Sequence, residues 1–311
     1  MQKVTLGNTG IEVTRLCFGA LTVGPIQMNM SPEEGGDVIA YALENGINFI
    51  DTAQLYGTYQ HVRRGLELSK KFDTIVATKT FAYERKEAIA AVEEARRELN
   101  RDCIDIFLLH QQESEHTIRG HRPALDYLLE CRQKGIIRAV GLSTHHIAGV
   151  RAAIATDGVE IVHPIINSRG VGIIDGTAAE MLAAINAAAA RGIGIYAMKS
   201  LGGGNLINET NAALDFALAQ PNLHSIAIGM KSIEEVDWNI AKFEGQTQPQ
   251  LSNENRQLHI EEWCSRCGKC VPACQHGALE LTADGMKVDT SKCVLCGYCG
   301  PHCEGFHIRV L

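Results

Sequence analysis

Eight of the eleven cysteines lie within the last fifty residues, in two runs with the same spacing. Each run reads C-x2-C-x2-C-x3-C, and each cysteine of the second run follows its counterpart in the first by 29 positions. This is a spacing with which thiolates hold iron–sulfur clusters. The runs are Cys264, Cys267, Cys270 and Cys274, and Cys293, Cys296, Cys299 and Cys303. They predict an iron–sulfur module at the end of the chain.

Zinc is the alternative metal for these cysteines. Structural zinc sites generally use cysteine pairs, so a third and a fourth cysteine at this spacing favour iron–sulfur clusters. Such short spacing suits metal better than disulfide bonds, which indicates a reducing compartment. The first residues lack the charged start, apolar core and cleavage site of a signal peptide. We therefore expect a cytoplasmic protein.

A second set of residues with useful chemistry follows apolar runs in the first part of the chain. Asp51 and Tyr56 lie in FIDTAQLYG, Lys79 in TIVATKT and His110 in IDIFLLHQ. An ammonium group near a tyrosine favours the ionised phenol, so we expect Lys79 to lower the pKa of Tyr56. Asp51 would fix Lys79 by an ion pair, and His110 would orient a substrate oxygen to which Tyr56 donates a proton. This set suits carbonyl reduction, with hydride from a bound cofactor because no side chain supplies one.

Each of these four residues also has an ordinary structural role as an alternative. An aspartate at a strand end often caps the next helix, and a lysine is usually solvated. A histidine or tyrosine beside an apolar run often packs in the core. Taken singly, these roles would be favoured. Four such residues at successive strand ends favour a shared site instead.

The elements that would position these residues repeat from residue 14 to about 245. Short β-branched apolar runs alternate with longer segments of helical periodicity, which predicts parallel strands joined by helices. Helices are predicted, for example, at residues 31–44, 84–99, 177–191 and 232–242. Eight strands are predicted, at residues 16–18, 48–50, 74–77, 104–109, 137–142, 161–166, 194–197 and 225–228. Eight units in about 230 residues predict an α/β protein with a closed (β/α)8 barrel, whose active site lies at the carboxyl ends of the strands.

Segments outside this repeat complete the predicted organisation. The run VTLGNTGIEVT is typical of a hairpin, which would cover the closed end of the barrel. The polar run GQTQPQLSNENRQL contains Pro249 and predicts a linker. We therefore predict a barrel at residues 1–245, a linker at 246–258 and a small α+β module at 259–311. A linker of this length can reach either end of a barrel, so the sequence leaves the position of the module open.

Six stretches of the chain resemble the aldo-keto reductase family across essentially the whole barrel. They are LGNTGIEVTRLCFGA, FIDTAQLYG, ATKT, DIFLLH, GIIRAVGLS and GIGIYAMKSLGGG. The family reduces aldehydes and ketones with NADPH or NADH. By motif, the resemblance assigns the family's catalytic tetrad to Asp51, Tyr56, Lys79 and His110. It implies a small carbonyl substrate, whose identity would depend on variable loops such as 111–123 and 167–176.

The same resemblance implies positions for the nicotinamide. Family members hold its amide with Ser-Asn after strand five and a Gln on strand six. The corresponding residues here are Ser143 with Thr144 and, most nearly, His163 with Asn167. Met198 stands where the family usually has an aromatic residue against the nicotinamide ring.

The resemblance also implies where the phosphates of the dinucleotide bind. The pyrophosphate would contact Ser200, Leu201, Gly202, Gly203 and Gly204, in a loop where backbone N–H groups can point at an anion. The adenosine phosphate segment corresponds to Gly229, Lys231, Ser232, Glu235 and Asn239. Lys231 suits the 2′-phosphate of NADP(H). Glu235 stands where members that prefer NADP often carry a basic residue, so NAD(H) stays an alternative.

The end of the chain, from about residue 255 to 311, resembles bacterial ferredoxins with two [4Fe-4S] clusters. In such modules the fourth cysteine of each run ligates the other cluster. The resemblance implies one cluster held by Cys264, Cys267, Cys270 and Cys303. It implies a second cluster held by Cys293, Cys296, Cys299 and Cys274. The chain departs from the pattern after the fourth cysteines, where Gln275 and Glu304 replace the usual proline.

Composition limits the possible partners. The 311 residues are 45% hydrophobic and 21% charged, with a net charge of −7, which is typical of a globular protein without the basic surplus that nucleic-acid binding needs. No apolar run approaches the length that spans a membrane. We expect neither nucleic acid nor membrane as a partner.

Two functions remain open from the sequence. One is a carbonyl reductase with an appended iron–sulfur module. The other is an electron-transfer protein whose barrel serves for docking or sensing. A nicotinamide gives up two electrons together whereas each cluster carries one, and the sequence shows no recognisable flavin motif. The clusters could therefore serve an external redox protein, such as a flavoprotein or a ferredoxin-like protein, or be structural.

Overall fold

A closed barrel of eight parallel strands forms the larger part of the computed structural model, which describes residues 1–204, 206, 209–248, 258–303 and 307–310. The barrel strands are β3 (Leu16–Gly19), β4 (Phe49–Asp51), β5 (Ile75–Thr80), β6 (Ile104–Leu109), β7 (Ile137–Thr144), β8 (Ile161–Pro164), β9 (Gly194–Ala197) and β10 (Ser225–Gly229). Neighbours along the chain pair in parallel, and β10 pairs with β3 to close the ring. The predicted (β/α)8 barrel is confirmed.

Helices connect the strands and cover the outside of the barrel. They are α1 (Pro32–Glu44), α2 (Tyr59–Ser69), α3 (Arg85–Leu99), α4 (Glu115–Gly120), α5 (Arg122–Gln133), α6 (Ile147–Ile154), α7 (Ala178–Ala190), α8 (Thr210–Leu218) and α9 (Ile233–Phe243). Side-chain caps set several starts, since Ser31, Thr177 and Ser232 accept hydrogen bonds from backbone N–H groups in the first turns of α1, α7 and α9. No described helix is long and apolar enough to cross a membrane.

A hairpin covers the amino ends of the barrel strands, as the sequence predicts. Its strands β1 (Lys3–Thr5) and β2 (Glu12–Thr14) pair antiparallel. Leu6, Ile11 and Val13 of the hairpin are buried with Phe49 and Tyr196 in one apolar cluster inside the barrel. Apolar side chains on both the inner and the outer faces of the strands are therefore removed from water, as parallel barrels require.

Where the structure describes it, the iron–sulfur module has two short sheets and two short helical turns. It contains β11 (Leu258–Ile260), α10 (Cys270–Ala273), β12 (Leu279–Thr282), β13 (Gly285–Val288) and β14 (Ile308–Val310). Strand β11 pairs with β14 and β12 pairs with β13, both antiparallel. The hydrogen bonds around the two cysteine runs repeat as well. The backbone nitrogen four residues after the last cysteine of each run donates to that cysteine, from Ala278 to Cys274 Sγ at 3.3 Å and from His307 to Cys303 Sγ at 3.1 Å. The predicted small α+β module is confirmed.

The module lies at the carboxyl ends of the barrel strands, a position that the sequence left open. A β-carbon placed on Gly300 would lie 3.1 Å from the carbonyl oxygen of Ile26, in the loop after β3. One placed on Gly204, in the loop after β9, would lie 3.1 Å from Cα of Cys296. The module therefore contacts two loops at the open mouth of the barrel.

The boundaries predicted for the linker stay a prediction. Helix α9 ends at Phe243 and β11 begins at Leu258. Most of the predicted linker at 246–258 lies outside the described residues, as does Glu304.

Candidate active site

The structure brings the four predicted catalytic residues together at the mouth of the barrel. Asp51 ends β4, Lys79 is the second-last residue of β5, and His110 follows β6. Tyr56 lies in the loop after β4. Because β4, β5 and β6 are neighbours, their carboxyl ends converge. The Lys79 Nζ atom lies 2.7 Å from Asp51 Oδ1 and 4.8 Å from the centre of the Tyr56 ring. The rings of Tyr56 and His110 are 5.7 Å apart, edge to face.

A buried ion pair anchors this group. Lys79 is fully buried, and its ammonium also donates to the carbonyl oxygen of Thr52 at 2.8 Å. The Tyr196 hydroxyl donates to Asp51 Oδ1 at 2.9 Å. Buried charges are stable in proteins only when they are paired and hydrogen-bonded, and both conditions hold here.

The sequence does not indicate that Tyr196 belongs to this site. This residue lies within a buried strand of the run GIGIYAMK and looks like an ordinary core residue. A buried tyrosine hydroxyl usually needs a hydrogen-bond partner, and that requirement is the one signal that could have pointed to it.

Lys79 acts on Tyr56 in the predicted direction, but the pKa of Tyr56 is raised overall instead of lowered. Burial raises the pKa of the phenol, and the nearby Lys79 ammonium offsets only part of that effect. For Lys79, burial alone would favour the neutral amine, but Asp51 and Tyr56 together raise its pKa. At neutral pH the site therefore holds a protonated phenol beside an ammonium group, which is the state that a proton donor requires.

His110 is a neutral imidazole in this site. Burial, followed by the Lys79 charge, lowers its pKa to about 2. The ring of Phe81 stacks on it with 4.3 Å between ring centres. Its Nδ1 atom is buried and has no hydrogen-bond partner among the described residues. His110 can therefore hydrogen-bond a ligand without carrying charge.

A cavity of about 790 Å³ extends from these residues across the mouth of the barrel. Asp51 and Tyr56 line one part of it. Among the residues predicted to bind a dinucleotide, the cavity is lined by His163, Met198, Ser200, Leu201, Gly203, Gly204, Gly229, Glu235 and Asn239. The cavity thus joins Asp51 and Tyr56, two of the four predicted catalytic residues, to most of the predicted cofactor positions.

Other predicted cofactor residues have structural partners and, within the described part of the chain, do not line the cavity. Ser143 Oγ accepts from Gln111 N–H at 2.9 Å, and Thr144 Oγ1 accepts from His146 N–H at 2.9 Å. The Asn167 side chain donates to Val171 O at 2.9 Å. Gly202, Lys231 and Ser232 likewise do not line the cavity. Their roles in cofactor binding stay predictions.

His163 has a defined orientation beside Asp51. Its Nδ1 lies 2.6 Å from the carbonyl oxygen of Tyr196, an acceptor, so Nδ1 carries the proton. Burial lowers the pKa of His163 to about 4, so the imidazole is neutral at pH 7. Its Nε2 atom, 3.8 Å from Asp51 Oδ1, is then an acceptor at the cavity wall.

The eight cysteines of the module form the two groups that the ferredoxin resemblance implies. One small pocket is lined by Cys264, Cys267, Cys270 and Cys303. A second pocket is lined by Cys274, Cys293, Cys296 and Cys299. Among the described residues, no three His, Cys, Asp or Glu side chains converge on a site for a single ion. Each group takes three cysteines from one run and the fourth from the other.

Comparison with known families identifies both parts of the chain. Residues 15–212 match the Aldo/keto reductase family. The chain belongs to the aldo/keto reductase family. Residues 258–280, which contain the first cysteine run, match the 4Fe-4S binding domain. The protein is therefore an oxidoreductase of the aldo-keto reductase type with a 4Fe-4S binding domain at its end, as the sequence predicts.

Relatives of this aldo-keto reductase include characterised and solved proteins. The chain is 24% identical over 282 residues to L-galactose dehydrogenase of Arabidopsis thaliana, which covers 76% of this chain and 86% of that protein. It is 28% identical over 182 residues to aldo-keto reductase YhdN of Bacillus subtilis, 54% of each chain. The holo form of an aldo-keto reductase from Bacillus halodurans superposes with a TM-score of 0.65 at 21% identity, over 81% of this chain and 93% of the other. That last likeness supports the fold alone.

Proposed function

We propose that this aldo-keto reductase transfers hydride between NADP(H) or NAD(H) and a small aldehyde, ketone or corresponding alcohol, with Tyr56 as the proton donor. The observation that carries the proposal is the position of Tyr56 beside the Lys79–Asp51 pair, at the wall of a cavity of about 790 Å³. That volume lies within the usual range of cofactor and ligand sites.

Two buried polar atoms support a dinucleotide in this cavity. Ser200 Oγ and Asn239 Oδ1 belong to cavity-lining residues, and neither has a hydrogen-bond partner among the described residues. Buried polar atoms without partners are uncommon in folded proteins, so both are suited to bond the hydroxyl or phosphate groups of a ligand. When bound, the nicotinamide supplies the hydride. His163 and Met198 would lie at its nicotinamide end, and Gly229, Glu235 and Asn239 near its adenosine.

The side chains of the site would handle the proton. Tyr56 donates its hydroxyl proton to the carbonyl oxygen, and neutral His110 holds the same oxygen by a hydrogen bond. Lys79, fixed by Asp51, stabilises the phenolate that remains on Tyr56. In the direction of alcohol oxidation, the same phenolate accepts the proton.

The choice between NADP(H) and NAD(H) depends on two neighbouring residues. Lys231 supports the 2′-phosphate of NADP(H), as the family resemblance implies. The Glu235 carboxylate at the cavity wall accepts a hydrogen bond from Lys231 N–H at 2.9 Å and could equally accept one from a ribose hydroxyl of NAD(H). We expect NADP(H) to be used, and kcat/KM with each dinucleotide measures the preference.

We further propose that the module holds two [4Fe-4S] clusters, one in each four-cysteine group. The N–H groups of Ala278 and His307 would stabilise the thiolate charges of Cys274 and Cys303. Each cluster, when bound, carries one electron. The first cysteine group includes the exposed Cys267 and lies near Trp263, which is 70% exposed, so an external redox protein would meet this side. Such thiol-rich chemistry fits the cytoplasm.

A tyrosine substitution tests the proposed function. We expect Tyr56→Phe to lower kcat for carbonyl reduction by about 10²- to 10⁴-fold, because it removes the proton donor and leaves the ring. The matched control is Tyr59→Phe, since the Tyr59 hydroxyl bonds Thr78 at 2.8 Å and is buried in the fold. The measurement is anaerobic steady-state reduction of a panel of aldehydes and ketones with NADPH and NADH.

Two results would contradict this proposal. One is a Tyr56→Phe variant as active as the parent. The other is a parent protein that turns over no carbonyl compound but exchanges electrons with a redox protein through its clusters. That second result would establish the electron-transfer function, with the barrel as a docking body.

A further inference from the structure

The two cysteine loops of the module have the same backbone. We call residues 264–270 the first cysteine loop and residues 293–299 the second cysteine loop. Arg266 and its counterpart Leu295 have φ values of +54° and +55°. Gly268 and Gly297 have φ values of +73° and +74°. The two loops thus share their left-handed backbone positions, and they differ in their side chains and in what surrounds them.

The surroundings of the two loops differ sharply. In the first cysteine loop, Arg266 and Lys269 are exposed. In the second cysteine loop, the same two positions are Leu295 and Tyr298, and both line the large cavity of the barrel together with Cys296. Apolar and aromatic residues thus replace basic ones in the loop that faces the cavity.

The second cysteine loop packs closely against the loop that follows β9. A β-carbon placed on Gly203 would lie 2.9 Å from Cε2 of Tyr298, and one on Gly204 would lie 3.2 Å from the carbonyl oxygen of Val294. On its other side, a β-carbon on Gly297 would lie 3.6 Å from Gln27, in the loop after β3. Strand β10 lies between β3 and β9 in the barrel, so the second cysteine loop spans the end of β10.

A positive charge lies beneath this loop. Lys199 Nζ is 4.9 Å from the centre of the Tyr298 ring, which is within the range of a cation–π contact. Lys199 lines the cavity next to Ser200, whose buried hydroxyl has no partner among the described residues. The structure also gives Lys199 no carboxylate partner within the described ranges. An ammonium group and an unpaired hydroxyl at one cavity wall suit a phosphate group.

We propose that the second cysteine loop is a wall of the dinucleotide site, in which Tyr298 and Lys199 together contact the pyrophosphate. This inference rests on the proposed function, because it needs a dinucleotide in the cavity. Tyr298 covers the phosphates from the side of the module and holds the Lys199 ammonium toward them. Ligation of Cys293, Cys296 and Cys299 fixes the loop that carries Tyr298. Dinucleotide affinity therefore depends on the second cysteine group, which holds this loop in place.

The test is the dissociation constant of NADPH and of NADH, measured by calorimetry on the full chain under anaerobic conditions. We expect Tyr298→Ala to weaken binding about tenfold, as loss of a packed aromatic contact typically does. Tyr298→Phe keeps the ring and should stay within about twofold of the parent. Lys269→Ala changes the corresponding position of the first cysteine loop and should leave the dissociation constant unchanged. Iron content, measured in parallel, should be the same in all four proteins.

A second variant outside the module covers the case in which Tyr298→Ala loses iron. Lys199→Gln removes the charge without touching the cysteines, and it should also weaken binding about tenfold. Equal dissociation constants in the parent, Tyr298→Ala and Lys199→Gln would overturn the wall inference but leave the reductase proposal standing. A parent that binds neither NADPH nor NADH would overturn both.

Discussion

At the scale of single residues, the site depends on how charge is arranged around Asp51. Its carboxylate accepts from Lys79 and from the Tyr196 hydroxyl, and the neutral His163 lies beside it. One negative charge is thus balanced by one positive charge, and the surrounding imidazoles stay uncharged. A second cation here would have to be buried without a partner, which is costly.

This arrangement predicts a pH dependence of stability through His163. Its pKa is about 4 in the folded protein and about 6.5 in an unfolded chain, so between these values only the unfolded state binds the proton. His163 therefore lowers the free energy of unfolding by about 1.4 kcal/mol for each pH unit between about 6.5 and about 4. Above about pH 6.5 it has no effect, because the imidazole is neutral in both the folded and the unfolded protein. His163→Gln cannot titrate at this position. As the pH falls from 7 to 5, its free energy of unfolding should therefore rise by about 2 kcal/mol relative to that of the parent. Anaerobic urea unfolding followed by circular dichroism measures both proteins.

Other buried histidines lower the free energy of unfolding at acid pH in the same direction as His163. Burial also lowers the pKa of His110 to about 2 and that of His145 to about 3, so the variant should retain part of the acid sensitivity. If the difference in free energy of unfolding between parent and variant is the same at pH 7 and at pH 5, His163 is protonated equally in the folded and the unfolded protein.

The sequence predicted that Asp51, Tyr56, Lys79 and His110 lie together, because each stands at or shortly after the carboxyl end of a strand in a local motif. It could not predict the raised pKa of Tyr56, since burial depends on side chains from distant strands. It also missed Tyr196, whose partner Asp51 is 145 residues away. Chemistry that follows from residue type can be predicted from sequence, whereas chemistry that follows from surroundings needs the fold.

At the scale of elements, strand and helix positions followed from periodicity and caps. The predicted helix at 31–44 begins with Ser31 as its cap, and the structure has α1 at Pro32–Glu44 with a capping box between Ser31 and Glu34. Loops were harder to predict. The sequence predicts that the glycines of the β9 loop contact a pyrophosphate, which stays a prediction. In the structure Gly203 and Gly204 lie against the second cysteine loop. No local signal distinguishes a glycine that approaches a phosphate from one that approaches another loop.

This contact predicts that Gly204→Ala loosens the second cysteine loop from the barrel. The new β-carbon would lie 3.1 Å from both Cα and Cβ of Cys296, and φ at this position is +99°. Overpacking of this kind typically costs about 1–3 kcal/mol. We expect the amides of residues 293–299 to exchange with deuterium about 5- to 100-fold faster than in the parent.

Gly135→Ala is the matched control for that substitution. Gly135 also has a positive φ, +73°, but a β-carbon there would have nothing within 4 Å. It should share the backbone strain, about 1 kcal/mol, without the clash. If the amides of residues 293–299 exchange no faster in Gly204→Ala than in Gly135→Ala, the new β-carbon against Cys296 does not loosen the loop.

At the scale of the whole molecule, the module and the barrel share one cavity. Leu295, Cys296 and Tyr298 of the module line it together with Tyr56 and Asp51 of the barrel. The sequence could not predict this, because the length of a linker sets only the maximum distance between two domains. The repeat itself contains the change from Arg266 and Lys269 to Leu295 and Tyr298. What that change does depends on the position of the second cysteine loop against the barrel, which the repeat does not give.

The shared cavity predicts that the two cysteine groups are not equivalent for the barrel. Cys264→Ala and Cys293→Ala remove corresponding thiolates from the two groups, 29 positions apart. Each variant should lose about half of the iron, roughly four of eight atoms. We expect only Cys293→Ala to weaken NADPH binding, by about tenfold, because only the second group fixes the loop at the cavity. Anaerobic iron analysis and calorimetry measure the two quantities. Equal NADPH affinities in the two variants would contradict this prediction. If both variants bind NADPH more weakly than the parent, the module acts on the cavity as one body. If both bind as tightly as the parent, the module does not act on the cavity at all.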